Sequence, residues 1–254
     1  MSDELVKWEQ RDAVRVLTMH RPEKRNAFDN AMYRAMAEAL TAAHGDDTVH
    51  VVLITGTGDA FCAGQDFGEM SADAGAEHGF PLFMQALVDC DKPIVTAVNG
   101  VGIGLGLTML LHTDINYIAA GARLRLPFVT LGVVPEAASS YLLPIAIGQQ
   151  RAAEILFTAR WISAEESVAL GLTFAVVARE RLMETALAKA AEIAANPPGA
   201  VQHTKRLLRT WRKAAIAAAR QREDEAFQER LGTPENLEAI RAFFEKRAAN
   251  FGKQ

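Results

Sequence analysis

The chain has 254 residues, half of them hydrophobic, with 27 Lys and Arg against 31 Asp and Glu and a net charge of -4. Such a chain can bury a large core, as one long domain or a domain with an appendage, and its charge balance excludes the broad basic surface that gathers nucleic acid. Two cysteines, Cys62 and Cys90, supply neither a disulfide framework nor a metal-ligand cluster, which fits a reducing interior.

The opening MSDELVKWEQ has no apolar signal core, the closing FGKQ is no receptor-read address of the SKL type, and no apolar run nears the roughly 18 residues of a membrane span. The expectation is a soluble, cytoplasmic protein with no membrane partner. Residues 13–19 (AVRVLTM) alternate and are rich in β-branched side chains, which predicts a strand; RPEKRNAF then supplies a loop. Asp29 is placed to cap a helix over 30–43, and VVLIT at 51–55 reads as a buried strand, so strand, helix and strand make a βαβ unit. The loop GTGDAFCAGQDFGEM leads into SADAGAEHG at 71–79, small, polar and expected to be mobile, and then a helix at about 81–90.

PIVTAV at 93–98 is the next buried strand and feeds the stretch Asn99 to Asp114, NGVGIGLGLTMLLHTD, whose LTMLL reads as a buried helix. INYIA at 115–119 is another strand. SSYLLPIAIG, RAAEILFTA and the capped SAEESVALG read as helices, the last ended by Gly171, with TFAVV a final strand. From Arg179 nearly every residue favours helix, with breaks at 196–198 and 232–234. We divide the chain into an α/β core at 1–196 and a helical region at 197–254. The basic run KRLLRTWRK in that tail reads as a solvated helix face. The alternation of β and α elements predicts a right-handed α/β core with ligands at the strand ends.

The glycines do not satisfy GxGxxG in register, and GxxxxGK[ST], HExxH and GxSxG are absent. Dinucleotide binding, nucleotide hydrolysis, zinc peptidase and serine hydrolase chemistry therefore lack their parts, and Ser139 and Ser140 read as turn or helix-cap residues. Two loops and one carboxylate remain. The Asn99–Asp114 stretch is open to two readings: a tight strand-to-helix connection, or a helix start whose N–H groups suit an anionic oxygen. The loop FCAGQDF places Ala63 and Gly64 after a buried strand, where a backbone N–H can meet a ligand; two converging donors would make an oxyanion hole. Glu136, in PFVTLGVVPEAASSYLLP, has apolar and small neighbours. It is either a helix-capping loop residue or a general base whose pKa is raised by desolvation.

Taken together, RPEKRNAF, AFCAGQDF, KPIVTAVNGVGIGLG with its following helix and Asp114, and LGVVPEAASS resemble the enoyl-CoA hydratase/isomerase (crotonase) superfamily, in order and spacing, over essentially the whole chain. The resemblance implies a spiral of ββα turns, a helical C-terminal region that forms trimers and covers the site, and acyl-CoA thioesters as substrates, with CoA part of the substrate and no separate cofactor or metal. It implies a homotrimer or a hexamer built as a dimer of trimers. By motif position the oxyanion donors are the backbone N–H groups of Ala63 and Leu105. Lys24 and Arg25 fall near the CoA phosphates, and Ala27, Ala63, Gln65 and Asp66 fall around its adenine and pantetheine.

Within the superfamily, hydratases resemble one another in two glutamates, which by spacing would stand at Thr108 and Phe128. Neither position holds a carboxylate. The PEAASS segment is instead similar to Δ3,Δ2-enoyl-CoA isomerases, which implies Glu136 as the single catalytic carboxyl, in fatty-acid β-oxidation chemistry. Met109, Phe128, Tyr141, Leu142 and Phe244 are candidate walls of the acyl pocket. Two further readings stand beside the isomerase: a hydratase or other crotonase reaction using Glu69 or Asp73, and a non-catalytic acyl-CoA-binding subunit.

Overall fold

A computed structural model of the chain describes residues 4–66, 68 and 79–252. Its framework is a six-stranded sheet and a smaller four-stranded sheet. The first contains β1 (Val6–Arg11), β2 (Val14–Met19), β3 (Val51–Gly56), β5 (Ile94–Val98), β7 (Ile115–Ala119) and β10 (Ala175–Val177), in the order β1-β2-β3-β5-β7-β10. All its pairings are parallel except β1 with β2. The second holds β4 (Ala60–Cys62), β6 (Val101–Ile103), β8 (Arg123–Arg125) and β9 (Trp161–Ser163) in that order, with β9 antiparallel to β8.

The chain alternates between the sheets. It runs from β3 to β4 to α2 (Gly79–Asp89), from β5 to β6 to α3 (Leu105–Thr108), then from β7 to β8. This is the ββα spiral that the resemblance implies. The strands β3 and β5 are buried along their whole length, so their near-continuous Val, Ile and Leu runs are what a parallel sheet covered on both faces requires. On one side α1 (Asn30–Gly45) buries Met32, Tyr33, Met36 and Leu40, and packs on α2. Asp29 caps α1 as expected, its Oδ1 accepting from the Met32 N–H at 2.7 Å. Elsewhere α7 (Leu182–Ala194) lies on the large sheet, touching β2, β3, β5 and β7.

Beyond β8 come α4 (Ser139–Ile147), α5 (Gln149–Thr158) and the short α6 (Ala164–Ala169), capped by Ser163. The 33-residue α8 (Pro198–Arg230) and α9 (Pro234–Phe244) close the chain, each with proline at its first position. No helix among the described residues is long and apolar enough to cross a membrane.

Three expectations need correction. The sequence does not predict the five strands β1, β4, β6, β8 and β9; four of them have three residues, too few to show a period of two. The LTMLL segment does not form one helix. A single α turn over Leu105–Thr108 passes into a 3-10 turn over Met109–His112, after which the Asp114 N–H bonds the Ile94 carbonyl at 2.9 Å at the start of β7. The basic run on α8 is also no simple solvated face. Lys205 is buried, with Nζ 2.7 Å from Asp114 Oδ2 and 2.6 Å from the Lys92 carbonyl, and Arg209 donates to the Cys90 carbonyl at 3.0 Å. The polar side of the run docks on the end of α2, whose last carbonyls lack helical partners. Its apolar residues Leu207, Leu208 and Trp211 are exposed.

Candidate active site

Because β4 and β6 are parallel neighbours, the loops that follow them leave the small sheet side by side. Gly106 lies so close to the first loop that a Cβ there would fall 2.4 Å from the Cys62 carbonyl oxygen. Gly64 abuts the second in the same way, 2.9 Å from the Ile103 oxygen. Gly104, at φ 53° and ψ -115°, turns the chain into α3 through a region that favours glycine. The Leu105 N–H then opens α3, where no helical carbonyl precedes it, and it donates to no described residue.

The structure corrects the expectation for Ala63. Its N–H already donates to the Arg25 carbonyl at 3.0 Å and is not available to a ligand. The free amide is two residues on. The Phe28 N–H donates to the Gly64 carbonyl and the Asp66 N–H to the Phe28 carbonyl, both at 2.8 Å, in a parallel bridge between Phe28 and Gln65. In that pattern the N–H of Gln65 points away from the Phe28 strand, and it meets no described acceptor. Among the described residues, the N–H groups of Gln65, Leu105 and Gly106 beside the loop junction donate to no acceptor, and Leu105 is the one at the motif position.

The segment from Arg21 to Asp29 is wired into the first loop. Asn26 is buried and donates from Nδ2 to the Thr57 and Ala60 carbonyls, both at 2.9 Å, while its Oδ1 accepts the Arg21 N–H. Arg21 is an ion-pair hub that sequence reasoning missed, 2.9 Å from Asp66 and 3.1 Å from Asp29, and it donates to the Ala27 carbonyl at 3.0 Å. Burial pushes the Asp66 carboxyl up, but the Gly68 N–H, Arg21 and Lys24 outweigh it and hold the pKa below its ordinary value. Lys24 and Arg25 are exposed, with Lys24 Nζ 3.6 Å from Asp66, and Ala27 is buried beneath them. The six residues expected at CoA therefore gather around one junction.

Glu136 lies between the 3-10 turn Val129–Leu131 and α4. Its Oε1 accepts from the Thr108 hydroxyl at 2.6 Å; its Oε2 is buried and has no hydrogen-bond partner among the described residues. Desolvation pushes the carboxyl up to about 8; Thr108 opposes the rise, Glu223 and Asp224 add to it, and Arg220 opposes it. The residue at the first hydratase position is thus the hydrogen-bond donor to Glu136. The Ser139 N–H and hydroxyl both bond the Glu136 carbonyl, at 3.0 and 2.6 Å, so Ser139 is a helix-start residue, as expected. His112, buried and pushed down to about 4 by desolvation, is neutral. It must carry its hydrogen on Nε2, since that atom lies 2.7 Å from the Ala137 carbonyl, which only accepts.

Of the expected wall residues, Met109 and Phe128 are buried in the main core, and Leu142 packs with Ala138, Ile216 and Ala219 under the half-buried Tyr141. Phe244 is 61% exposed on α9 in the single chain, edge-on to Phe243 at a centroid distance of 5.7 Å. Glu69 and Asp73 lie outside the described residues, as does most of 71–79. No group of three His, Cys, Asp or Glu among the described residues could hold a metal ion.

The spiral of ββα units, with its adjacent glycine-bearing loops after β4 and β6, is that of the crotonase class of protein. The family model for enoyl-CoA hydratase/isomerase matches residues 9–254, and the chain belongs to that family. It is 32% identical to the 2,3-dehydroadipyl-CoA hydratase of Escherichia coli over 99% of both chains, and 34% identical to the 1,2-epoxyphenylacetyl-CoA isomerase of the same organism over 72% of this chain and 74% of the other. The crystal structure of an enoyl-CoA hydratase/isomerase from Pseudoalteromonas atlantica superposes with a TM-score of 0.94 at 39% identity, covering 98% of this chain and all of that one.

Proposed function

We propose that this chain is an acyl-CoA isomerase that moves the double bond of a 3-enoyl-CoA to the 2-position. The observation that carries the reading is the carboxyl of Glu136, with one oxygen held by Thr108 and the other buried and without a partner among the described residues. Adding water by the hydratase pair calls for two carboxylates, and Thr108 and Phe128 stand at those positions. Isomerisation needs one.

In a 3-enoyl-CoA the C2 hydrogen is acidified by the thioester and by the neighbouring double bond. Glu136 Oε2 takes that proton. The C2–H electrons spread into a dienolate whose charge rests largely on the thioester oxygen, where the N–H groups of Gln65 and Leu105 meet it. Glu136 then returns the proton to C4, the C3–C4 double bond becomes C2–C3, and the thioester carbonyl re-forms. One carboxyl is base and then acid. The base must be ionised, and with a pKa near 8 roughly a tenth of it is so at pH 7. Lys24 and Arg25 receive the CoA phosphates, and Ala27 and the backbone around Gln65 and Asp66 receive the adenine and pantetheine. The exposed Leu207, Leu208 and Trp211 on α8 and Phe243 and Phe244 on α9 supply the apolar area for a homotrimer, alone or paired into a hexamer.

The test is to incubate the purified protein separately with 3-hexenoyl-CoA and 2-hexenoyl-CoA. The reading expects 2-hexenoyl-CoA from the first and little hydration of the second. If 3-hexenoyl-CoA is not converted, or if Glu136→Gln converts it at the wild-type rate, the isomerase reading is wrong. Hydration of 2-hexenoyl-CoA alone would make the chain a hydratase, in keeping with its hydratase relative, and tight binding without turnover would make it an acyl-CoA-binding subunit.

A further inference from the structure

The turn that carries Glu136 continues into a rare backbone conformation. Ala137 and Ala138 have φ of 59° and 58°, two consecutive alanines in the left-handed region that disfavours any residue with a Cβ. Such a conformation persists only where surrounding contacts enforce it. Three do. His112 donates to the Ala137 carbonyl, Ser139 bonds back to the Glu136 carbonyl, and Glu223 reaches across from α8, 85 residues further along the chain. The Glu223 carboxylate accepts the Ala138 N–H at 2.6 Å on Oε2 and the Ser140 N–H at 2.8 Å on Oε1, so it spends both oxygens at the start of α4. It is 5% exposed, and Ile216 and Ala219 on the same face of α8 pack against Ala138 and Leu142.

We propose that Glu223 is a positioning residue, which holds the Ala137–Ala138 turn in its left-handed form and so aims Glu136 Oε2 at the acyl carbons. The proposal rests on Glu136 being the base. The geometry is direct: charge-assisted bonds from two N–H groups fix the backbone immediately after Glu136, whose side chain is held, among the described residues, by Thr108. It also gives the C-terminal region a task in the site without touching substrate.

The groups that face Glu136 are Thr108 from α3, Glu223, Asp224 and Arg220 from α8, Tyr33 from α1 and Cys62 from β4. Glu223→Gln removes one negative charge from this set and replaces one acceptor oxygen with an N–H2 facing a donor. Two consequences are expected for 3-hexenoyl-CoA conversion. The kcat falls about 10- to 100-fold while KM moves less than about 3-fold, because the turn loosens but the CoA loops do not. The acid limb of the kcat/KM profile moves to lower pH, since a lost negative neighbour makes Glu136 easier to ionise.

Adding Ala138→Gly, which accepts a left-handed φ without strain, restores a good part of the lost kcat in the Glu223→Gln background and changes little alone. It also guards against a single variant that folds poorly. Amide hydrogen exchange at Ala138 and Ser140, read without any substrate, speeds in Glu223→Gln. The proposal is overturned if exchange at these amides is unchanged, if kcat stays within about 2-fold of wild type, or if the acid limb does not move. A wild-type protein that fails to convert 3-hexenoyl-CoA sinks the isomerase reading instead, while the exchange result still decides whether Glu223 holds the turn.

Discussion

The two halves of the site are built from different materials. The loops at Ala63–Asp66 and Ile103–Gly106 present backbone amides, set by strand register and by glycines that let one loop lie against the other. The Glu136 turn presents a side chain, and apart from the local bonds of Ser139 to the Glu136 carbonyl it is fixed by side chains brought from afar: Thr108 at 28 residues' distance, His112 at 25 from Ala137, and Glu223 at 85 from Ala138. A backbone device tolerates substitution at its own position, because any residue except proline keeps its N–H. A side-chain device does not. The difference predicts where the protein is fragile.

The largest loss falls on the side-chain half. Glu136→Gln removes the base and lowers the rate of 3-hexenoyl-CoA conversion about 10²- to 10⁴-fold, measured as product formed per enzyme. On the backbone half, Leu105→Pro deletes the N–H at the first helical position, where proline is tolerated, and lowers kcat about 10²- to 10³-fold. Leu105→Gly keeps the N–H and leaves kcat within about 3-fold. Equal losses in the two variants would show that the Leu105 side chain, and not its amide, matters. Thr108→Val deletes the hydroxyl at nearly constant volume and lowers kcat/KM about 10-fold. Because Thr108 holds the Glu136 pKa down, its loss moves the acid limb above 8.

The same physics governs stability. The Glu136 pKa is raised from its unfolded value of 4.5 to about 8, so its contribution is fully present below about 4.5 and is lost as pH rises through 8. Glu136→Gln escapes the cost of a buried charge. At pH 9 its melting temperature should exceed that of wild type. A lower value would mean that the carboxylate is stabilised by groups other than Thr108.

The division between backbone and side chain also explains what could be read from the sequence. Long apolar runs announced β2, β3, β5 and β7, and Asp29 announced its helix, because these signals are local. Glu136 stood out as a carboxyl among apolar neighbours. The oxyanion loop was legible, but its donor was misplaced by two residues. Amide direction alternates along a strand and is set by pairing with Phe28, which residue types do not record. Thr108 was legible as a missing acid and illegible as a donor to Glu136. Arg21 and Glu223 carried no local signal, since their partners are Asp66 and the start of α4.

The most direct test of Glu136 as the base is the pH dependence of kcat/KM for 3-hexenoyl-CoA, which reports the free enzyme. The account predicts a rate that rises through an acid limb near pH 8 to a plateau, and no such limb in the residual activity of Glu136→Gln. A limb near 4.5, or one that persists in Glu136→Gln, would contradict it.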